Sequence, residues 1–155
     1  MPIMKIETLG DVLQWTREFH VHLSTSMFRC AEQHESERAR LLLDYLVKHE
    51  EKLSRSLDEF QKFSSYGVLA TWCIEYINKQ PIIAHSYCNE SFVSLSSEQI
   101  MEVIVDYHQQ IIELYRYLAI RNPIPKAQEL LENLLIFEEQ EIMLMSQAAN
   151  RLEDL

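Results

Sequence analysis

Glycine is nearly missing from this chain of 155 residues: there are two, Gly10 and Gly67, where average usage near 7% would supply about eleven. Hairpin turns and phosphate-cradling loops need residues that tolerate positive φ. A Rossmann fold, a P-loop and a many-stranded β architecture are therefore disfavoured. Cationic residues are scarce as well, with Lys+Arg 14 against Asp+Glu 24, giving a net charge of −10 and a pI near 5.0. That surplus repels phosphate backbones and anionic lipid, and no Lys/Arg stripe overcomes it locally, so nucleic acid is not expected as a partner. No long apolar run exists: the longest, Val68 to Ile74, is broken by Thr71 and too short to span a bilayer. With no apolar stretch behind Met1-Pro2-Ile3-Met4-Lys5, a soluble cytoplasmic protein is expected. Cys30, Cys73 and Cys88 are odd in number and far apart, and read as reduced thiols acting as small buried hydrophobes. The Asn89-Glu90-Ser91 sequon carries no meaning without a signal peptide.

What is present is helical periodicity in four segments. The first, about Leu9 to Gln33, follows a Thr8 cap with Asp11 three residues on, and its inner stripe reads Leu9, Leu13, Thr16, His20, Leu23, Met27, Cys30. The second, about Glu37 to Phe63 after Ser36, aligns Leu43, Leu46, Glu50, Leu53, Leu57 and Phe60. The third, Glu98 to Arg121 behind Ser96, with Gln99 completing a capping box, aligns Ile100, Ile104, His108, Ile111, Tyr115 and Leu118. Asn122-Pro123-Ile124-Pro125 breaks the chain, and the fourth, Lys126 to about Leu152, shows Leu131, Leu135, Glu139, Ile142, Ser146 and Ala149. Short links within each pair predict two antiparallel hairpins, 9–63 and 97–152. Residues 64–96, with a short helical piece around Val68 to Asn78, would form one long crossover. The expected fold class is all-α: a four-helix bundle in one domain spanning 1–155.

Each stripe is interrupted once by a polar residue where a core residue belongs: His20, Glu50, His108 and Glu139. His20 and Glu50 each lie 15 residues from a turn near residue 35, and His108 and Glu139 lie 15.5 from the midpoint of Pro123 and Ile124, so all four should meet at one level. The halves also match: His20 to His108 is an offset of 88, while Leu46 to Leu135, Glu50 to Glu139 and Leu53 to Ile142 are each 89. Glu18-Phe19-His20 against Asp106-Tyr107-His108 accompanies this, and a duplicated hairpin is the economical explanation.

In helix order and crossover the chain resembles the ferritin-like superfamily, in particular the rubrerythrin-like carboxylate-bridged diiron bundles. Leu46-Val47-Lys48-His49-Glu50-Glu51-Lys52-Leu53 and Leu135-Ile136-Phe137-Glu138-Glu139-Gln140-Glu141-Ile142 look like that family's Leu/Glu-rich second and fourth helices, with Glu50 and Glu139 on the motif glutamates. The motif histidines are replaced by Leu53 and Ile142, and the glutamates of helices one and three by His20 and His108, so six ligands shrink to four. The resemblance implies metal binding and an oxidoreductase acting on O₂, peroxide or iron. The ligand losses favour a non-catalytic descendant that dimerises or docks a partner near Val68 to Ile83.

Two imidazoles and two carboxylates suit one Zn²⁺, Fe²⁺ or Mn²⁺ ion. They suit equally a metal-free network of buried His–Glu pairs. His49 and Glu138 would replace their neighbours as ligands if the helices were rotated; otherwise they are boundary residues on a wet flank. His22 and His34 are expected to be exposed. His85 and Cys88 form a His-x-x-Cys without a second ligand pair. Tyr107, Tyr45 and Trp15 are expected to pack, and Met27, Met101, Met143 and Met145 to fill core. A homodimer is the expected assembly.

Overall fold

The computed structural model describes residues 6–73 and 92–153. Among them the chain is all-helical. Four long helices, α1 (Leu9–Gln33), α2 (Glu37–Phe63), α4 (Ser97–Arg121) and α5 (Pro125–Glu153), are accompanied by a one-turn α3 (Tyr66–Leu69) and a 3₁₀ turn at Phe92–Ser94. None of the described helices is long and apolar enough to cross a membrane.

The ends follow local chemistry. Thr8 and Ser96 each accept the amide of the third helical residue, and Asp11 and Gln99 reach back to the cap amide, so orphan donors are satisfied at both N-termini. Pro125 opens α5, where its missing N–H costs nothing. α1 and α2 are joined by His34, Glu35 and Ser36, and run antiparallel: Gln61 Nε2 donates to the Gly10 carbonyl at one end, and His20 meets Glu50 midway. α4 turns into α5 through Asn122, Pro123 and Ile124, with the Ile124 amide donating to Asn122 Oδ1 at 2.9 Å. α2 packs on α5, and Phe19 meets Tyr107 edge to face at 5.6 Å where α1 faces α4.

Of the helical piece expected around Val68 to Asn78, Val68 and Leu69 are helical in α3, residues 70–73 are not, and residues 74–78 lie outside the described residues. Beyond α3 the chain extends, and an antiparallel bridge joins Thr8 to Trp72: the Leu9 amide donates to Thr71 (2.9 Å) and the Cys73 amide to Glu7 (2.7 Å). An orphan amide of α1 thereby gains an acceptor from distant chain. Cys73 is buried there, as expected of a small apolar residue, and Cys30 is half-buried. Cys88, His85 and most of the crossover lie outside the described residues.

The two hairpins repeat at a constant interval. α1 (9–33) shifted by 88 gives α4 (97–121), and the caps Thr8 and Ser96 stand 88 apart. Phe19/Tyr107, His20/His108, Ala31/Ala119, Ala39/Ala127, Leu42/Leu130, Leu43/Leu131 and Leu46/Leu134 are all buried pairs at that spacing. Glu50 therefore corresponds to Glu138, not Glu139. The inner face of α5 carries Leu131, Leu134, Glu138, Glu141, Ile142, Met145 and Ala148, whereas Glu139 is exposed and Leu135, Ser146 and Ala149 are only half-buried. Leu131 and Ile142 of the expected stripe are buried, but Leu135, Glu139, Ser146 and Ala149 each stand one residue beyond the inward position, which on a helix is a rotation of about 100°. Met27 and Met145 are core and Met101 packs against it, but Met143 is 54% exposed, on the outer face.

Candidate metal centre

His20, Glu50, His108 and Glu138 meet inside the core, and none is more than 1% exposed. Each comes from a different long helix, at the single position where its apolar stripe carries a charge-bearing group at this level. His20 stands between Thr16 and Leu23 on α1, and His108 between Ile104 and Ile111 on α4. The imidazole rings are tilted, with centroids 5.3 Å apart. Phe19 sets its ring edge-on to His20 at 5.9 Å and is itself stacked on Trp15 at 5.6 Å, so Trp15 and Tyr107 are packing residues.

The contacts are short. His20 Nδ1 lies 2.6 Å from Glu50 Oε2, and His20 Nε2 lies 2.6 Å from Glu138 Oε1. The His108 Nδ1–H donates to the Ile104 carbonyl at 2.8 Å, because a carbonyl can only accept. His108 Nε2 approaches Glu50 Oε1 to 2.8 Å, but out of line for a hydrogen bond. Of the buried polar atoms here, Glu138 Oε2 is without a hydrogen bond, and Glu50 Oε1 and His108 Nε2 have only their mutual ion-pair contact. Unsatisfied groups of this kind are costly in a dry core.

Charge compensates in part. Burial alone would push the His20 imidazolium down, but the carboxylates of Glu138 and Glu50 outweigh it and raise its pKa to about 10. Burial likewise opposes the Glu50 carboxylate, yet His108 and His20 hold its pKa down at about 2. His108 is also raised, with Glu50 and Glu138 overcoming the effect of burial. Nearby, Tyr115 is fully buried and donates to Thr16 Oγ1 at 2.9 Å; burial and the Glu138 charge push its phenol well above its ordinary range.

The donor set suits a metal ion. The ligand atoms of His20, His108 and Glu138 lie within 4.8 Å of one another. Glu50 Oε2 and the Ile104 carbonyl hold the Nδ1 protons of the two histidines, the usual way a protein fixes the tautomer of a metal-binding imidazole. The Nε2 lone pair of His108 is then open to an ion, and that of His20 becomes so once the ion takes the place of the Nε2 proton shared with Glu138 Oε1.

The sequence-derived set thus meets at three of its four positions. Glu139 does not take part: it is half-exposed and pairs with Arg116 across the surface at 3.2 Å. Glu138, read as a residue of the wet flank unless the helix turned, takes its place. His49 is not on a wet flank either. Its Nδ1 contacts buried Glu141 Oε2 at 2.6 Å, Lys52 Nζ contacts Glu141 Oε1 at 2.6 Å, and Tyr45 lies on the His49 ring at 4.5 Å. Glu141 was missed because it stands in the acidic run Glu138, Glu139 and Glu141, where periodicity alone does not say which face is inward. His34, expected to be exposed, is buried and ties the first turn to distant chain: its Nε2–H donates to Leu95 at 2.7 Å while Nδ1 accepts the Ser36 amide at 3.0 Å. Comparison with known protein families, with curated proteins and with solved structures yields no match.

Proposed function

We propose that this protein is a metal-binding four-helix bundle of the ferritin-like type, holding one Zn²⁺ or Fe²⁺ ion through His20 Nε2, His108 Nε2 and Glu138, with Glu50 supporting the site. One observation carries the reading: both Nδ1 protons are committed to fixed acceptors, so the two Nε2 atoms converge with Glu138 inside a sphere a few ångströms across. The charge balance supports it. Two carboxylates and two neutral imidazoles leave a deficit of two positive charges, which a dication fills as well as two protons do. When bound, the ion would supply Lewis acidity or, as iron, one-electron chemistry toward O₂ or peroxide. The residues of the chain fix the ion's position and exclude bulk water.

The test is metal content after loading with Zn²⁺ or Fe²⁺ and exhaustive dialysis. One equivalent per chain, lost in His20→Ala and in Glu138→Gln, is the expected result. A dialysed protein without metal refutes the reading.

A second reading has its own observation. His20 Nε2 sits 2.6 Å from Glu138 Oε1, a direct bond that an ion would have to break, and Phe63, Tyr66 and Trp72 present large apolar side chains to solvent at and beyond the end of α2. A metal-free bundle that forms a homodimer or docks a partner would use these. Sedimentation of wild type against Phe63→Ser decides it, with a concentration-dependent dimer lost in the variant as the supporting result.

A further inference from the structure

The four candidate ligands are sealed in the core, and a hydrated cation crosses an apolar seam only if other ligands replace the waters it sheds. We propose that the His49–Glu141 pair in the seam between α2 and α5, latched from outside by Lys52, is the loading site through which a divalent transition-metal cation reaches His20, His108 and Glu138. The proposal rests on the metal-binding reading above.

The seams differ in chemistry. Where α1 faces α4, Phe19 and Tyr107 close the wall with a ring contact at 5.6 Å. Outside α4 and α5, Arg116 and Glu139 pair at 3.2 Å with both side chains half-exposed, so this pair stays at the surface and does not lead inward. Between α2 and α5, behind Lys52 at 49% exposure, the side chains are ligand types, His49 at 12% and Glu141 at 2%. The next turn of α5 holds Glu138, whose Oε2 is buried and without a hydrogen bond. Residues three apart on a helix are neighbours, with Cβ atoms about 5–6 Å from each other. A cation held by Glu141 and His49 is thus one helical turn from an unsatisfied carboxylate oxygen of the inner site.

The repeat shows that the fold does not need this polarity. At the interval of 88, Leu53 corresponds to Glu141 and Phe137 to His49, and Leu53 is fully buried. An apolar residue therefore serves the same packing position in the first hairpin. A buried carboxylate there calls for a reason other than packing.

Co²⁺ is the probe, because its visible absorption reports protein ligation. The metal-free full-length protein is mixed with Co²⁺ in a stopped-flow instrument, and the loaded protein is then challenged with EDTA. His49→Phe and Glu141→Gln are expected to reach the wild-type absorbance and dissociation constant, while uptake and removal both slow by about tenfold or more, since a residue on the path alters the barrier and not the end states. Lys52→Met, which removes the latch and its charge, is expected to speed uptake at an unchanged dissociation constant. This third variant keeps the proposal falsifiable should His49→Phe or Glu141→Gln fail to fold. Unchanged rates in the variants overturn the proposal. So does weakened affinity at an unchanged uptake rate, which would make the pair ligands or clasps. Wild type without a Co²⁺ spectrum overturns the metal-binding reading itself.

Discussion

Replacing Glu50 with Leu removes the one carboxylate shared by both histidines, with contacts of 2.6 Å to His20 and 2.8 Å to His108 and no exposure at any of the three. Breaking a buried pair from one side typically costs about 3–5 kcal/mol, because the stranded charge stays in the core. A second route gives the same scale. His20 is raised from 6.5 to about 10, a gap worth on the order of 5 kcal/mol when both carboxylates act together. Leucine returns on the order of 2 kcal/mol of apolar burial if it packs, so the net loss should be about 1–3 kcal/mol, or roughly 2–12 °C in Tm at this chain length. The pH dependence gives the sharper test. His20 has a folded pKa above its unfolded one, so its contribution is complete below pH 6.5 and is lost as pH rises through about 10. Glu50 has a folded pKa below its unfolded one, so its contribution is complete above pH 4.5 and is lost as pH falls through about 2. Metal-free wild type should therefore be most stable between about pH 4.5 and 6.5 and weaken steadily toward pH 9, while Glu50→Leu, which keeps Glu138 beside His20, should weaken less over that range. Urea unfolding in EDTA at pH 6 and pH 9 measures both. A variant as stable as wild type at pH 6, or one with the same loss between the two pH values, refutes the geometry.

Three further outcomes are expected. Glu138→Gln should abolish metal retention, whereas Glu139→Gln should keep it and cost less than about 1 kcal/mol, since its pair with Arg116 is half-exposed; metal analysis and thermal melts of the two variants check this. Replacing His20, Glu50, His108 and Glu138 together by Leu or Met should leave a metal-free bundle at least as stable as the parent, because no charge is stranded; urea unfolding compares them. Metal affinity should keep rising with pH beyond 7, since protons compete at His20 up to about pH 10; competition with a chelator at pH 6, 7.5 and 9 measures the slope, and a plateau above pH 7 would contradict it.

Most of this architecture was legible because the polar interruptions at His20 and His108 fall in stripes with no competing ligand one residue away, and the Leu43, Leu46, Leu53 and Leu57 stripe selects Glu50 over His49. α5 offered two stripes. Leu134 and Leu135, Glu138 and Glu139, Met145 and Ser146 stand side by side, and matching Leu46 and Glu50 at an offset of 89 selected the wrong member of each pair. The spacing of 88 already given by the histidines, carried through Ala39 and Ala127 to Leu43 and Leu131, would have selected Glu138. The bridge between Thr8 and Trp72 and the bond from His34 to Leu95 left no local trace, because each depends on an acceptor far along the chain.

The duplicated hairpin also sets an order of assembly. Contacts within α1–α2 and within α4–α5 are local in sequence and close quickly, whereas docking one hairpin on the other requires closure of a long loop. His20 and Glu50 ride on the first hairpin, His108 and Glu138 on the second, so the contacts of His20 with Glu138 and of His108 with Glu50 exist only after docking. Substitutions at these four positions should then leave the refolding rate nearly untouched and accelerate unfolding, which places the centre's stabilisation on the lifetime of the native state and not on the speed of reaching it.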